Sequence, residues 1–345
     1  MSVQSVAVAG IAVVGFAALI AGAALAAEYP QAEISNGVVR AKLYLPDANA
    51  GFYRSTRFDW SGVISSLEFS GHNYYGPWFT KQDAAVRDFV YRGDDIVVSS
   101  ESGSMGPADE FQTPLGYDAA PPGGTFVKIG VGVLRKTDGS PYSAFKKYEL
   151  VDPGKWSVRK GADFVEFTQL LTDAATGCGY VYRKTVRLTN GKPEMIIEHS
   201  LRNTGRLAIA SKLYNHNFLV LDGDATGTDY AITLPFAVTT SQPPNKEMAE
   251  VRGNQIVYLK TLQDHDTVAM PVEGFGADAK DYDIRVENRK AGAGMRVVGD
   301  RPLASVALWS IRSVLAIEPF INVAVEPGKE MTWKYTYSYY TVAQN

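Results

Sequence analysis

Cysteine is almost absent from this chain of 345 residues. Cys178 is the single thiol, so no internal disulfide can form, and core packing must hold the fold together. Thiol catalysis would require a base beside this cysteine. It lies in segment 176–180, where two glycines indicate a turn, and a small residue without a catalytic role is the better interpretation.

Clusters of basic residues and metal-binding motifs are also lacking. The 34 basic and 37 acidic residues are interspersed and give a net charge of -3, which argues against nucleic acid as a partner. The four histidines are scattered singly, so we expect no metal site. No G-x-S-x-G elbow, P-loop, H-E-x-x-H motif or dinucleotide fingerprint occurs, and we expect no cofactor.

The N-terminal segment has no charged side chain up to residue 27. It is rich in small and apolar residues and contains Ala24-Leu25-Ala26, which resembles a signal-peptidase site. We therefore predict a secretory signal over 1–26, a single mature domain over 27–345, and a periplasmic or secreted protein without stable membrane association after cleavage. An uncleaved membrane anchor is the alternative, because the apolar run approaches the ~20 residues that span a bilayer.

The rest of the chain has the pattern of β-structure. Short alternating runs are broken by turn residues about every ten positions, which favours an all-β sandwich or barrel of one domain. Runs 180–188 and 194–201, joined through Asn-Gly, predict a hairpin. A last pair of strands, 314–325 and 331–340, follows. Segment 80–89 is the one candidate helix. Segment 99–124 is predicted to be a loop that is too long for a plain connection, and loops of this length are commonly lids or binding loops.

Glu318 is a carboxylate within an apolar run. Period-two alternation places it on the same strand face as Ala316 and Phe320. Burying such a group is costly unless it is paired or used in chemistry. It could pair with an arginine, Arg312 or Arg57, for structural reasons, or it could be a general base whose pKa is tuned by burial. The residues alone leave both interpretations open.

His216 lies on a predicted strand between two asparagines. Alternation places His216 on one face, and Asn215 and Asn217 on the other. A histidine beside aromatic rings is more often part of a core than a catalyst. The asparagines weaken that interpretation, because asparagine is depleted in strands, and they suggest a ligand-facing surface or a bulge.

A third group of candidates lies nearer the N-terminus. Arg57 could bind hydroxyl or carboxylate oxygens, and Trp60 could stack on the apolar face of a sugar ring. The alternative is an Arg57–Asp59 turn network beneath a core tryptophan. Asp109 and Glu110 add carboxylates that could hold Ca²⁺, although EF-hand spacing is absent.

Several short motifs together resemble those of the aldose 1-epimerases, or galactose mutarotases. Segment 215–221 (NHNFLVL) is similar to their Asn-His-x-x-Phe-Asn-Leu motif, and 317–319 (IEP), shortly before 326–328 (EPG), is similar to their C-terminal Glu-Pro region. Segment 57–60 (RFDW) resembles the region of their substrate-binding arginine. The resemblance runs loosely over the mature chain, and it implies a β-supersandwich of mostly antiparallel strands with a sugar cleft.

The resemblance also implies roles for individual residues. Glu318 would take the proton from the anomeric hydroxyl, and His216 would protonate the ring oxygen. Arg57 and His72 would hold sugar hydroxyls, although His72 lies in a Ser-Gly-His-Asn context instead of the family's His-Gly-Gly. Trp60 and Trp309 would be stacking residues. Asn215 and Asn217 are added as candidate substrate-binding residues because they flank His216.

Three functions are consistent with these observations. The first is an aldose 1-epimerase-like protein that interconverts the anomers of a hexose or of an oligosaccharide reducing end. The second is a carbohydrate-binding protein without catalysis, and the third is a polysaccharide lyase or hydrolase on the same fold. In each case the expected partner is a sugar or oligosaccharide.

Overall fold

The computed structural model describes residues 29–343, and these residues form 25 β-strands and one short 3-10 helix, Ala279–Asp281. The strands in chain order are β1 (Gln31–Ser35), β2 (Val39–Tyr44), β3 (Val63–Phe69), β4 (His72–Asn73), β5 (Lys81–Gln82), β6 (Phe89–Arg92), β7 (Asp95–Val98), β8 (Gly106–Phe111), β9 (Thr125–Lys128), β10 (Gly132–Arg135), β11 (Glu149–Asp152), β12 (Lys155–Lys160), β13 (Phe164–Asp173), β14 (Cys178–Leu188), β15 (Glu194–Asn203), β16 (Ile209–Leu219), β17 (Tyr230–Thr233), β18 (Ala249–Arg252), β19 (Gln255–Tyr258), β20 (Val268–Pro271), β21 (Asp283–Asn288), β22 (Ala293–Gly299), β23 (Ser305–Ile311), β24 (Val314–Val325) and β25 (Glu330–Thr341).

Two antiparallel sheets dominate the fold. The larger has ten strands in the order β12-β13-β14-β15-β25-β22-β21-β17-β19-β18, and the other has five in the order β20-β23-β24-β16-β8. Three smaller sheets are β1-β2-β3-β4, β11-β10-β9 and β5-β7-β6, the last of which contains one parallel pair, β5 with β7. The molecule is therefore an all-β sandwich of mostly antiparallel strands, as the sequence predicted.

The main core lies between the two large sheets. Alternate residues of β25, including Tyr335, Tyr337 and Tyr339, are buried there against aliphatic side chains of β24 such as Ile317 and Ile321. A second aromatic cluster, which includes Phe58, Trp78 and Phe218, packs on the opposite face of the five-stranded sheet. Because side chains alternate along a strand, β16 contributes to both clusters and can present polar groups on either face.

The hairpin around Asn190-Gly191 is confirmed, since β14 and β15 pair with Leu188 opposite Met195. The last two strands are also present, but the turn at 326–329 does not join a hairpin: it carries the chain from the five-stranded sheet to the ten-stranded sheet. No hydrogen bond in the ladders joins them directly, because β24 pairs with β16 and β23. Strand length and turn residues predict a turn but not the sheet in which the next strand is placed.

Two predictions of local structure were wrong. Segment 80–89 is not helical, because it contributes strand β5, a turn and the start of β6. Segment 99–124 is not a loop throughout either, since it contains β8, which pairs with β16 and is buried throughout. The predicted signal peptide lies outside the described residues, and no helix among residues 29–343 is long and apolar enough to cross a membrane.

Candidate active site

His216 and Glu318 face each other across two neighbouring strands. The register of β16 on β24 places Tyr214 opposite Phe320 and Asn217 opposite Ile317, so positions 216 and 318 are directly opposite. His216 Nε2 lies 3.2 Å from Glu318 Oε1. Pro319 has no N–H to donate, and the regular pairing is interrupted here. The fold thus brings together an imidazole and a carboxyl group that are separated by about a hundred residues in the chain.

Small side chains on both flanking strands leave space above this dyad. His216 is paired with Ala108 of β8, and Glu318 is paired with Ala307 of β23. The dyad therefore lies in an open cleft of about 410 Å³ instead of under a neighbouring side chain. The cleft has an aromatic lining of Trp78, Phe145, Phe218 and Trp309. Clefts of this size with aromatic walls and a few polar groups are typical of small-ligand sites.

Burial shifts both members of the dyad towards their uncharged forms. Removal from water raises the pKa of Glu318 to about 8, and Glu110 and Asp88 add to the rise while Arg57 opposes it. Removal from water also holds the pKa of His216 well below 6.5, with a further contribution from the positive charge of Arg57. Near neutral pH the dyad therefore holds a single proton, and we place it on Glu318.

The His216 ring is fixed in place by packing. It stacks on Phe218 with the ring centroids 3.7 Å apart and meets the edge of Phe58 at 5.8 Å. Its Nδ1 atom has no hydrogen-bond partner within the described part of the chain, so Nε2 is the nitrogen that interacts with Glu318. A ring held in this way keeps Nε2 directed at the carboxyl group and the cleft.

Arg57 lies at the base of the cleft, and its donors are already largely occupied. Nε is 3.0 Å from Glu110 Oε2, Nη2 donates to the Tyr214 hydroxyl at 2.8 Å, and Nη1 donates to Ser102 Oγ at 3.3 Å. Glu110 also binds Lys128 Nζ at 3.0 Å. Although burial opposes ionisation, Lys128 and Arg57 hold the pKa of Glu110 below its ordinary value. Arg57 therefore supplies a fixed positive charge near the dyad.

Asp109 and Glu110 are neighbours on β8 and point to opposite faces of the sheet. Asp109 Oδ2 faces the main core, 2.7 Å from Lys184 Nζ and 2.9 Å from His199 Nε2. Burial opposes ionisation, but Lys184 and His199 hold the pKa of Asp109 at about 2. The two acids do not converge on a common Ca²⁺ position. Among residues 29–343, no group of three or more histidine, cysteine or acidic side chains is arranged to hold a metal ion.

Asn215 and Asn217 point away from the cleft, into the core between the large sheets. The Tyr337 hydroxyl donates to Asn217 Oδ1 at 2.7 Å and accepts a hydrogen bond from Asn215 Nδ2. Asn217 Nδ2 also donates to the carbonyl of Ile317 at 2.9 Å. The asparagines therefore join β16, β24 and β25, and they cannot contact a ligand in the cleft from the opposite face of the sheet.

The remaining predicted site residues divide between the cleft and other regions. Trp309 forms part of the cleft wall. Trp60 is buried, donates from Nε1 to the carbonyl of Ser55 at 2.7 Å and stacks on Trp156, so it is a core residue. His72 lies elsewhere on the molecule, with Nδ1 2.7 Å from Asp222 Oδ2. The structure therefore brings together His216, Glu318, Arg57 and Trp309.

Several residues that line the cleft or support Arg57 beside it were not predicted as site residues from the sequence. Tyr214 could have been predicted, because alternation places it on the same strand face as His216. Glu110 was noticed only as a candidate for Ca²⁺ binding, and Lys128 lies in an apolar run that gives no sign of its charged partner. Asp88 lies in segment 80–89, which was wrongly predicted to be a helix, and was therefore not considered.

Comparison with solved structures identifies the fold of this chain. The GalM/aldose epimerase homologue from C. elegans is similar to this chain with a TM-score of 0.53 and 15% identity, covering 91% of this chain and 100% of that one. A galactose mutarotase related enzyme from Lactobacillus acidophilus is similar with a TM-score of 0.51 and 12% identity, covering 91% and 98%. A galactose mutarotase-like protein from Clostridium acetobutylicum has a TM-score of 0.51 and 9% identity, covering 90% and 94%.

At these identities the likeness concerns the fold alone. The chain has the galactose mutarotase-like fold, which confirms the architecture expected from its motifs. No protein-family model matches the chain, and no curated protein matches it in sequence.

Proposed function

We propose that this protein interconverts the anomers of an aldose, either a free hexose or the reducing end of an oligosaccharide. The observation that carries the proposal is the dyad: His216 Nε2 and Glu318 Oε1 lie 3.2 Å apart and both line one cleft. Mutarotation requires one group that removes a proton from the anomeric hydroxyl and one that protonates the ring oxygen. A carboxyl group and an imidazole that share a proton meet this requirement without a cofactor.

The order of the pKa values favours a particular sequence of proton transfers. Neutral His216 takes the proton from the O1 hydroxyl while protonated Glu318 donates its proton to the ring oxygen O5. The C1–O5 bond breaks, the C1=O1 double bond forms, and the dyad becomes an imidazolium and a carboxylate. Rotation about C1–C2 presents the other face of the carbonyl carbon, and both transfers then reverse as the ring closes.

This sequence exchanges the roles that the family resemblance implies. The reason is that burial keeps the proton on Glu318 in the resting protein, with the pKa of its carboxyl group at about 8. The two assignments carry the same total number of protons, so they share one pH dependence. Arg57 lowers the pKa of Glu318 and therefore stabilises the carboxylate that forms when the ring opens.

The walls of the cleft suit a sugar ring. Trp309 and Phe145 present apolar surface on which the C–H face of a pyranose can pack. Arg57 is less suited to a uronate, because Glu110 and Tyr214 already occupy its Nε and Nη2 donors. This observation ranks anomer exchange above the cleavage of uronate polymers.

The test is the exchange rate between α and β anomers of galactose, glucose and xylose, measured by magnetisation-transfer NMR. We expect Glu318→Gln and His216→Ala each to lose about a hundredfold or more of the acceleration, since one positioned acid or base contributes about 10²–10⁴-fold. Glu198→Gln is the matched control, because Glu198 is exposed on β15 and outside the cleft. Binding without acceleration would instead support the carbohydrate-binding alternative.

A further inference from the structure

Asp88 adopts a backbone conformation that few residues other than glycine occupy. It lies in the turn between β5 and β6 with φ of 61°, in the left-handed region. Aspartate and asparagine tolerate this region better than most side chains, yet it remains uncommon for them. The Ser99 N–H donates to the Asp88 carbonyl at 2.7 Å, and this bond holds the turn against β7. Strained positions of this kind cluster at ligand-binding sites.

The carboxylate of Asp88 is held from one side only. Its Oδ1 atom accepts a hydrogen bond from Ser102 Oγ at 2.6 Å and lies 3.9 Å from Arg57 Nη1. Its Oδ2 atom has neither a hydrogen bond nor an ion pair among residues 29–343. The side chain is 40% exposed, and it lines the same cleft as His216 and Glu318. One oxygen is thus anchored, and the other is available to a ligand.

Asp88 is one of the negative charges that offset the positive charges beside the cleft. Arg57 and Lys128 are positive, while Glu110 and Asp88 are negative. Burial keeps Glu318 protonated near neutral pH, so it adds no charge. Removing the charge of Asp88 would therefore make the surroundings of the cleft more positive by one unit charge.

We propose that Asp88 is a substrate-binding residue that selects uncharged sugars. Its Oδ2 atom accepts hydrogen bonds from sugar hydroxyls and orients the ring on the dyad, and its charge repels sugars that carry a carboxylate or phosphate. The inference rests on the proposed function for the nature of the ligand. It adds the residue that holds the ligand and the class of sugar that is excluded.

Two substitutions separate this role from a purely structural one. Asp88→Asn keeps an acceptor for Ser102 and tolerates the left-handed backbone, but it removes the charge. Asp88→Gly removes the whole side chain and also the backbone strain, because glycine adopts the left-handed conformation without steric cost. Asp94→Asn is the matched control, because Asp94 lies on the exposed turn between β6 and β7 and is outside the cleft.

The experiment measures dissociation constants by calorimetry for galactose, glucose and xylose, and for glucuronate. We expect both Asp88 variants to bind the neutral sugars about tenfold or more weakly, as the loss of a charged hydrogen bond predicts, with Asp94→Asn unchanged. We also expect both variants to bind glucuronate more tightly than the unaltered protein does. If Asp88 served only to form the turn, neither affinity should change. The glycine variant in particular should then bind like the unaltered protein, because glycine suits the left-handed backbone.

The outcomes separate this inference from the proposed function. If anomer exchange occurs while both Asp88 variants keep their affinity for the sugars and for glucuronate, the inference fails and the function stands. If binding depends on Asp88 but no aldose is exchanged, the inference stands and the function fails. If none of the sugars binds to the unaltered protein and no aldose is exchanged, both fail.

Discussion

Glu318→Gln should stabilise the protein although it removes a proposed catalytic group. The folded state raises the pKa of this carboxyl group from 4.5 to about 8, so the folded protein holds a proton that the unfolded chain releases above pH 4.5. Folding stability therefore falls as the pH rises from 4.5 to about 8. Glutamine has a similar shape and does not titrate, so the variant avoids this loss.

The magnitude follows from the difference between the two pKa values. One pKa unit corresponds to about 1.4 kcal/mol, and the side chain is only 13% exposed, so solvent screens it little. The free energy of unfolding of Glu318→Gln should exceed that of the unaltered protein by about 3 kcal/mol at pH 6.5 and by about 5 kcal/mol above pH 8.

The assay is urea-induced unfolding at pH 6.5, 7.5 and 8.5, followed by tryptophan fluorescence and extrapolated to water. Glu110→Gln is a matched comparison with the opposite sign. It leaves Arg57 and Lys128 without their buried partner and should destabilise the protein by about 3–5 kcal/mol. A Glu318→Gln variant that is less stable than the unaltered protein, at every pH, would show that Glu318 is ionised and paired with an imidazolium. Burial would then not be what decides the protonation state of Glu318.

The kcat/KM for anomer exchange should fall above about pH 8, because Glu318 then loses the proton that the dyad shares. The fall on the acid side should lie well below pH 6.5, where His216 becomes protonated. A kcat/KM that rises through pH 8 would contradict this prediction. Tyr337→Phe should lower the free energy of unfolding by about 1–3 kcal/mol with KM unchanged, because Asn215 and Asn217 lose their buried partner on the far side of the sheet. Ala307→Leu should fill the space beside Glu318 and abolish sugar binding in a calorimetric titration, while circular dichroism stays that of the unaltered protein.

Alternation along the strands allowed part of the site to be predicted. It correctly separated His216 from Asn215 and Asn217, and it placed Glu318 and Phe320 on one face. It did not indicate which face of β16 carries the cleft, so the asparagines were expected there although they belong to the core. A period-two pattern separates the two faces of a strand, but it does not indicate which face lies against the core and which contacts solvent or a ligand.

Most of the site residues that the sequence did not predict are charged residues whose partners lie far away in the sequence. Strand β8 contains Gly, Pro, Asp and Glu, which are depleted in strands, and its two acids become tolerable only because Lys184 and Lys128 reach them from other strands. The two residues of β4 are too few for any periodicity, and the partner of His72 is Asp222, far along the chain. Such partners are set by tertiary contacts, which local sequence patterns do not encode.

Catalysis by the His216–Glu318 dyad is tested most directly by the anomeric exchange rate of galactose at pH 7, with the unaltered protein measured beside Glu318→Gln. We expect acceleration by the unaltered protein and about a hundredfold loss or more in the variant, even though that variant is the more stable of the two. Equal acceleration by both proteins would contradict the assignment of Glu318. If neither accelerates the exchange of any aldose tested, the dyad does not catalyse mutarotation.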